Sequence, residues 1–450
     1  VKTDILRLDD NQTVTGILTL TGNSSINRIY VVSNTIGTAR TITNTGATMT
    51  WSNVDFRDIT LGTAFDASAI TGLSGDAGGN TSITFTTADE NFWIGGTGNW
   101  ATAGEWSQTT GGAANGRVPL PQDNATFDAN SFGAGSLTVT QDMPRAGKNI
   151  NWTGVTNTPT WTTSTAASIF GSLTLVSGLT LTASTQAYTF EGRSTFTLTN
   201  AGKTWAKAIT LNAPGGTLTL QDAYANGATI TTTITTGTFS ANNFSVTTGL
   251  FSSTNSNTRT ITMGSGTWEL TATSASTVWN MATITGLTLN ENTSTIKISG
   301  STTSIRTFAG GGETYYNLWY TNATTVGALT ITGANTFNDI RIDAADATAQ
   351  TITFPNSTTT VTTWSVSGSA TKLITLQRTG VSGTFTLTKS GGGQVASDYL
   401  SISNSTATPT ETWCAGANST DGGGNSGWYF QTCPIVVAAG HNFQTLLGVR

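Results

Sequence analysis

Pairs of apolar residues framed by threonine recur along most of this chain. Because successive side chains of a strand point to opposite faces, each pair would be buried while the threonines face water or a neighbouring strand. The pairs arrive roughly every six to thirteen residues, which leaves no room for helices and is too irregular for propeller blades of about 40 residues. The pattern predicts an all-β fold, a parallel β-helix (β-solenoid); tandem β-sandwiches share the alternation and remain the alternative. Representative pairs are Leu173/Leu175, Leu179/Leu181, Tyr188/Phe190, Phe196/Leu198, Ile209/Leu211, Leu218/Leu220 and Phe385/Leu387.

The size and charge of the chain favour an elongated architecture and argue against two kinds of partner, nucleic acids and membranes. It has 450 residues but only 8 prolines, and no long charged linker divides it, which favours an elongated rod that grows by adding coils. Its 19 Lys and Arg are scattered and the net charge is −5, so we expect no nucleic-acid partner. No apolar run approaches the roughly 20 residues of a membrane helix, so we expect no membrane insertion.

A short motif occurs twice and suggests domain boundaries. Asp76-Ala-Gly-Gly-Asn80 matches Asp421-Gly-Gly-Gly-Asn425, and an Asp-aromatic strand lies about 20 residues upstream of each, at Asp55-Phe56 and at Asp398-Tyr399. Open solenoid ends carry unpaired strand edges, so closing caps are expected. We predict a small module over residues 1–90 and a long solenoid over residues 151–430, each closed by this motif. Asp and Asn hydrogen bonds around the glycines explain the motif better than a calcium site, because only two side-chain ligands are present.

The segments on either side of the long solenoid have their own compositions. Residues 91–150 hold Trp93, Trp100 and Trp106 among glycines and prolines and are predicted to form a start cap, whose rings supply core area. Residues 431–450 carry an apolar stretch and are predicted to be a docking tail, either on the chain's own solenoid or, as we favour, on a neighbouring copy.

The two cysteines of the chain, Cys414 and Cys433, are a possible disulfide. In an oxidising compartment it would close a loop of about 20 residues and contribute about 3 kcal/mol. Two buried thiols are the alternative. No metal site or other cofactor is expected, because the single histidine, His441, has no further ligands near it in the sequence.

Aromatic residues outside the repeats are candidates for contact with a glycan or a protein partner. They are Trp93, Trp100, Trp106, Tyr315 and Trp319. Strict strand alternation puts Tyr316 and Tyr320 on the face of Leu318 and turns Tyr315 and Trp319 the other way. The competing interpretation is packing within a cap or against a sister subunit.

No catalytic residues are assigned. Glycoside hydrolysis would need two carboxylates about 5 to 9.5 Å apart, and two acidic clusters merit inspection. One is Asp339, Arg341, Asp343 and Asp346; the other is Asp55, Arg57 and Asp58. We expect these carboxylates to accept hydrogen bonds on solvent-facing strands or turns instead.

Several segments together resemble a known group of proteins. They are Asn-Arg-Ile-Tyr at 27–30, Val-Asp-Phe-Arg-Asp-Ile at 54–59, Arg-Val-Pro-Leu-Pro-Gln-Asp at 117–123, Asn-Trp-Thr-Gly-Val at 151–155 and Trp-Cys-Ala-Gly-Ala-Asn-Ser-Thr-Asp at 413–421. The chain resembles, over nearly its whole length, repetitive β-structured proteins predicted in genomes of environmental tailed bacteriophages. Cys414 stands where that group usually has another residue. The pattern around Trp100 and Trp106 is also similar to bacterial autotransporter passenger domains.

The resemblance implies a place on a virion rather than a chemistry. We therefore expect a homo-oligomeric structural virion protein, a fibre, decoration or tail-associated appendage at the virion surface, that gives a rigid rod for assembly and adhesion. Expected partners are other copies of itself, capsid or tail proteins and host surface glycan. The alternatives are a tailspike-type glycan depolymerase and a bacterial surface adhesin or extracellular filament subunit.

Overall fold

The protein is a β-solenoid. The structure, a computed structural model, describes residues 4–46, 48–322, 327–342 and 349–433. About 49% of the chain is in strands and 1% in helix, and parallel strands stack in about 18 turns. The predicted parallel β-helix is thereby confirmed. The chain divides into two compact units, one of Val1–Thr273 with Thr277–Gly300 and one of Ser274–Ser276 with Ser301–Arg450.

The first unit begins with short coils of its own, here called the N-terminal coils, which contribute two parallel sheets. The first sheet contains β1 (Ile5–Leu8), β3 (Leu18–Thr21), β4 (Ile29–Ser33), β6 (Met49–Arg57) and β8 (Thr71–Asp76). The second contains β2 (Gln12–Val14), β5 (Arg40–Asn44), β7 (Ile59–Asp66) and β9 (Thr81–Thr84). Their apolar core includes Val31, Trp51, Val54, Phe56 and Ile59.

The rest of the first unit, here called the main solenoid, winds around a second core. One sheet wraps two faces through β10 (Glu90–Trp93), β12 (Trp106–Ser107), β13 (Asn124–Thr126), β15 (Ile150–Asn151), β17 (Ala167–Ile169), β18 (Leu173–Thr174), β20 (Tyr188–Phe190), β21 (Thr195–Thr199), β23 (Ile209–Leu220), β25 (Thr231–Ser240), β27 (Leu250–Ser252), β28 (Arg259–Thr262), β30 (Ser276–Asn280) and β31 (Leu287–Asn290). The remaining face holds β11 (Gly98–Asn99), β14 (Thr138–Gln141), β16 (Thr160–Thr163), β19 (Thr180–Leu181), β22 (Thr204–Trp205), β24 (Tyr224–Asn226), β26 (Val246–Thr248), β29 (Thr267–Leu270) and β32 (Thr295–Ile298). A 3₁₀ turn, Ala103–Glu105, precedes β12, which pairs antiparallel to β10.

The second unit is built in the same way. One face holds β33 (Ile305–Ala309), β35 (Gly327–Thr332), β37 (Gln350–Phe354), β39 (Ile374–Arg378), β42 (Leu400–Ile402) and β45 (Thr420–Asp421). Another holds β34 (Thr314–Tyr320), β36 (Thr336–Ile342), β38 (Thr358–Val366), β40 (Phe385–Lys389) and β43 (Ser405–Thr408), and a small sheet joins β41 (Val395–Ala396), β44 (Trp413–Cys414) and β46 (Trp428–Tyr429).

The threonine-framed pairs explain why the coils stack in register. In β21 the two apolar side chains, Phe196 and Leu198, are buried, and the threonines between and around them are half-buried or exposed. The parallel register places like residues above one another, so threonines form an outward column on consecutive coils, which suits β-branched side chains. The members of this column are Thr195, Thr217, Thr238, Thr260 and Thr288.

Candidate functional site where the N-terminal coils meet the main solenoid

A buried ion pair network fastens the N-terminal coils to the main solenoid within the first unit. Asp55 Oδ1 accepts a hydrogen bond from Arg28 Nε at 2.8 Å, and Asp55 Oδ2 accepts one from Arg145 Nε at 2.5 Å. Arg145 Nη2 also donates to the backbone carbonyl of Arg28 at 3.2 Å. All three side chains are essentially excluded from water. A carboxylate shared by two buried arginines therefore links residues that are far apart in the sequence.

The local sequence of β6 shows why Asp55 faces the main solenoid. Val54, Asp55 and Phe56 are buried in succession, although alternate residues of a strand point in opposite directions. Val54 and Phe56 belong to the core of the N-terminal coils. Asp55 points away from that core and is buried because Arg145 of the main solenoid covers it.

Two further ion pairs cross the same junction. Arg57 Nη1 donates to Glu191 Oε2 at 2.8 Å, and the other oxygen of Glu191 accepts a hydrogen bond from Ser168 at 2.7 Å. Arg193 Nη2 donates to Asp58 Oδ2 at 2.8 Å, and the same oxygen accepts from the backbone N–H of Gly37 at 2.9 Å. The carboxylates of the junction are thus held by arginines rather than left free.

The electrostatics of the junction favour the charged form of Asp55. Burial by itself would raise the pKa of Asp55, but Arg28 and Arg145 outweigh it and hold the pKa below its usual value. For Arg57, burial acts to lower the pKa, but the Glu191 carboxylate beside it opposes this and the pKa is raised. Burial raises the pKa of Tyr30, so its phenol stays protonated.

A cleft of about 270 Å³ opens beside the network. Its polar walls are Arg7, Tyr30, Arg57, Arg145, Ser168 and Glu191. The Tyr30 ring lies against two guanidinium groups, that of Arg145 at 4.9 Å and that of Arg57 at 5.6 Å from its centroid. Ile5 adds an exposed apolar edge. The cleft, here called the arginine cleft, combines positive charge with a hydrogen-bond donor and an aliphatic wall.

A second cavity of the junction has a volume of about 460 Å³. It is lined by residues 35–38 of the N-terminal coils and by residues 214–216, 236–238 and 256–260 of the main solenoid. Gly37 has φ +82°, and a Cβ there would come within 2.6 Å of the Pro214 Cβ. Only glycine fits both the conformation and the contact.

The surface role assigned to three tryptophans is wrong. Trp93, Trp100 and Trp106 are fully buried, and their rings pack on one another edge to face with centroids about 5 Å apart. Trp106 Nε1 donates to the Trp100 carbonyl and Trp93 Nε1 to the Gly96 carbonyl. The three rings therefore supply core area to the first coils. The start cap as a separate segment stays a prediction.

Tyr315 is also misassigned, whereas Trp319 is only partly buried. Tyr315 is buried and donates to the Gly310 carbonyl at 2.9 Å. The parity argument fails because Tyr316 and Asn317 both face outward, so the alternation shifts between Tyr315 and Leu318. The Trp319 ring lies outside, with the Arg341 guanidinium 4.4 Å from its centroid. Its contact with a glycan or partner stays a prediction.

The acidic clusters have structural partners where they are described. Asp339 Oδ1 accepts hydrogen bonds from the hydroxyls of Thr363 and Ser365. Asp343 and Asp346 lie outside the described residues. Asp55 and Asp58 do not face solvent as expected, because they form the buried network.

The repeated Asp-x-Gly-Gly-Asn motif forms the same turn twice. Asn80 Nδ2 donates to Asp76 and to the Phe56 carbonyl of the preceding coil, and Asn80 Oδ1 accepts from the Ile59 N–H. Asn425 donates to Asp421 and to the Ile402 carbonyl, and accepts from the Ser405 N–H. Asp and Asn therefore close a hydrogen-bonded turn, as predicted. The upstream match was wrong, because the register pairs Asp76 with Phe56 and Asp421 with Ile402, so Phe56 corresponds to Ile402 and not to Tyr399.

The two cysteines form a disulfide bond in the second unit, with their Cα atoms 5.6 Å apart. It ties the chain after β46 back to β44. Most of the predicted docking tail, residues 434–450, lies outside the described residues.

Sequence reasoning missed the partners that complete the junction: Arg28, Arg145, Glu191 and Arg193. One signal was available. In a chain that is only 10% charged, Asp55 stands between two apolar residues of a strand, which indicates a second buried face. The sequence does not identify the distant arginine that covers this face.

Compared with protein-family models, curated proteins and solved structures, the chain has no match. Within the described ranges, no group of three or more His, Cys, Asp or Glu side chains is arranged to hold a metal ion. The described residues also form no helix long and apolar enough to cross a membrane.

Proposed function

We propose that this protein is a structural component of a bacteriophage virion, a fibre, decoration or tail-associated appendage. The observation that carries the proposal is that the described residues serve to build a scaffold. They form stacked coils, close them with hydrogen-bonded turns and fasten the N-terminal coils to the main solenoid with buried ion pairs. The sequence segments that resemble β-structured phage proteins point to the same role.

Attachment would rest on repetition rather than on one strong site. The threonine column of the main solenoid presents hydroxyl groups at the spacing of the coils, about 4.8 Å. Many weak polar contacts to neighbouring virion proteins, to other copies of the chain or to host glycan would add up through multivalency. The outward pair of Trp319 and Arg341 provides a mixed aromatic and cationic contact in the second unit.

The carboxylates of the junction fit a structural role better than a hydrolytic one. Asp55, Asp58 and Glu191 each accept from an arginine at 2.8 Å or less. A retaining or inverting glycosidase needs one carboxyl group as a proton donor and a second as nucleophile or base. Arginine pairing occupies the oxygens of these carboxylates, and at Asp55 it also lowers the pKa, which opposes the role of acid.

Immunogold labelling tests the proposal, with particles purified from the lysate of a phage whose genome encodes this chain. An antibody raised against the recombinant protein should label intact particles, and an unrelated antibody should not. Label confined to bacterial envelopes would replace the proposal by the adhesin. Release of reducing or unsaturated sugars from host polysaccharide by the purified protein would replace it by the depolymerase.

A further inference from the structure

We propose that the arginine cleft binds a small organic acid, with a carboxylate carried on a body no larger than one sugar ring. The proposal stands independently of the virion role. It rests on the charge, the unpartnered groups and the size of the cleft.

The charge of the cleft is opposite to that of the protein. Arg7, Arg57 and Arg145 line it against the single carboxylate of Glu191. When the groups behind its walls are included, five arginines, Arg7, Arg28, Arg57, Arg145 and Arg193, face three carboxylates, Asp55, Asp58 and Glu191. The protein as a whole carries a net charge of −5. A local positive excess at a concave site concentrates anions there.

Tyr30 and Arg7 provide donors at the cleft that lack a partner in the described part of the protein. The hydroxyl of Tyr30 is buried and makes no hydrogen bond, although the side chain is 8% exposed and borders the cleft. A buried hydroxyl without a partner is costly, so an acceptor that met it after a small turn of the ring into the cleft would be favoured. Arg7 is exposed at the rim and forms neither a salt bridge nor a hydrogen bond with described residues. Its guanidinium offers the paired donors that match a carboxylate.

The walls and the volume of the cleft limit the size and the chemistry of the ligand beyond its carboxylate. Ile5, Val32 and Ala167 provide apolar surface, and Ser168 and Thr189 provide hydroxyl groups. A volume of about 270 Å³ lies just below the range of about 300 to 1,000 Å³ typical of small-molecule pockets. A single sugar acid, with one carboxylate, hydroxyls and an aliphatic ring face, fits these walls. The same group could come from a free acid or from the end of an acidic polysaccharide.

Isothermal titration of the full chain with glucuronate tests the proposal, with glucose and sodium sulfate as comparison ligands. Glucuronate should bind saturably and glucose should not. Tighter binding of a glucuronate-terminated oligosaccharide than of the monosaccharide would identify a polysaccharide end as the source, and equal binding would identify the free acid. No saturable heat at roughly 10 mM glucuronate, or equal affinity for sulfate, would overturn the proposal.

Two variants locate the site without disturbing the ion network. Arg7→Gln and Tyr30→Phe remove groups that have no partner in the described chain, so the melting temperature should not fall. Each should weaken glucuronate binding roughly tenfold, the effect of losing one charged or buried hydrogen bond. Arg40→Gln, on β5 and outside the cleft, is the matched control and should bind normally. Unchanged affinity in both cleft variants would place binding elsewhere and contradict the assignment.

Discussion

Arg145 and Asp55 lie 90 positions apart in the sequence, yet Arg145 Nε is 2.5 Å from Asp55 Oδ2. Both side chains are buried, and Arg28 binds the other oxygen of the same carboxylate. Removing one partner from such a group leaves buried charge without compensation, which costs more than the ion pair itself contributes. The stability of the junction should therefore depend strongly on Asp55.

Asp55→Asn keeps the size of the side chain and removes its charge. We expect it to lower the free energy of unfolding at pH 7 by about 3–5 kcal/mol. Because the folded pKa of Asp55 lies below its unfolded value, its contribution is complete above the unfolded pKa and is lost as pH falls through the folded pKa. The difference between wild type and variant should hence shrink in acid below about pH 4. Urea unfolding at pH 7 and pH 3 measures both effects. Asp9→Asn, at an exposed position, is the control, and a variant as stable as wild type at pH 7 would contradict the account.

Lys207 is a cation pointing into the main solenoid core. Its Nζ donates to the Thr163 hydroxyl at 2.6 Å and lies 5.0 Å from the centroid of the Tyr188 ring. Burial lowers the pKa of Lys207 to about 8, from 10.5. Between these two values the unfolded chain holds the proton and the folded chain does not, so stability should rise with pH from about 8 to 10.5.

Lys207→Met should remove this cost. We expect the free energy of unfolding at pH 7 to increase by about 1–3 kcal/mol, and the rise in stability above pH 8 to disappear. Thermal melts from pH 7 to 10.5 measure both. Lys203→Met is the control. It removes an amine that is exposed in the wild type, so the variant should retain the pH dependence. A destabilised Lys207→Met variant would show that the buried ammonium is favourable.

Asn80 and Asn425 hold equivalent turns, and each bonds to the coil before it. Replacing either by alanine removes three hydrogen bonds, two of them to backbone groups of the preceding coil, so each variant should lose about 1–3 kcal/mol of stability. Chemical denaturation of Asn80→Ala and Asn425→Ala checks this, with the exposed Asn23→Ala as the control. Equal stability of all three variants would mean that the repeated motif does not brace the coils.

The disulfide between Cys414 and Cys433 closes a loop with a sequence separation of 19. By the loop-entropy estimate, reduction should lower stability by about 3 kcal/mol. Thermal unfolding with and without a phosphine reductant measures the change. The double variant Cys414→Ser/Cys433→Ser should melt at the reduced temperature and ignore the reductant. A wild-type melt that does not respond to the reductant would count against the bond.

The sequence predicts contacts that repeat from coil to coil. It does not predict contacts between separately wound parts of the chain. Phe196 and Leu198 could be placed in the core because their alternation repeats from coil to coil. Asp55 could not be matched to Arg145, because a contact between two separately wound parts leaves no period in the sequence. The side chain of Tyr315 was assigned to the wrong face because two consecutive residues of its strand point outward, which reverses the alternation of the residues around them. Alternation alone cannot locate such a pair.

The candidate site was predictable only in fragments. Asp55, Arg57 and Asp58 stood out as a charged group, but their chemistry depends on arginines and a glutamate that arrive from elsewhere in the chain. For Trp93, Trp100 and Trp106 the sequence predicts either packing in a cap or a contact surface, and their burial excludes the contact surface. In a chain with few charges, a charged residue inside an apolar strand was a better guide to the site than aromatic density.

A double-mutant cycle between Asp55 and Arg145 tests most directly whether the N-terminal coils are fastened to the main solenoid by this network. The free energies of unfolding of wild type, Asp55→Asn, Arg145→Met and the double variant give the interaction energy. The account predicts that the two changes are not additive and that the coupling is at least about 1.5 kcal/mol. Additivity within about 0.5 kcal/mol would show that the two residues do not touch in solution and would contradict the docking of the N-terminal coils described here.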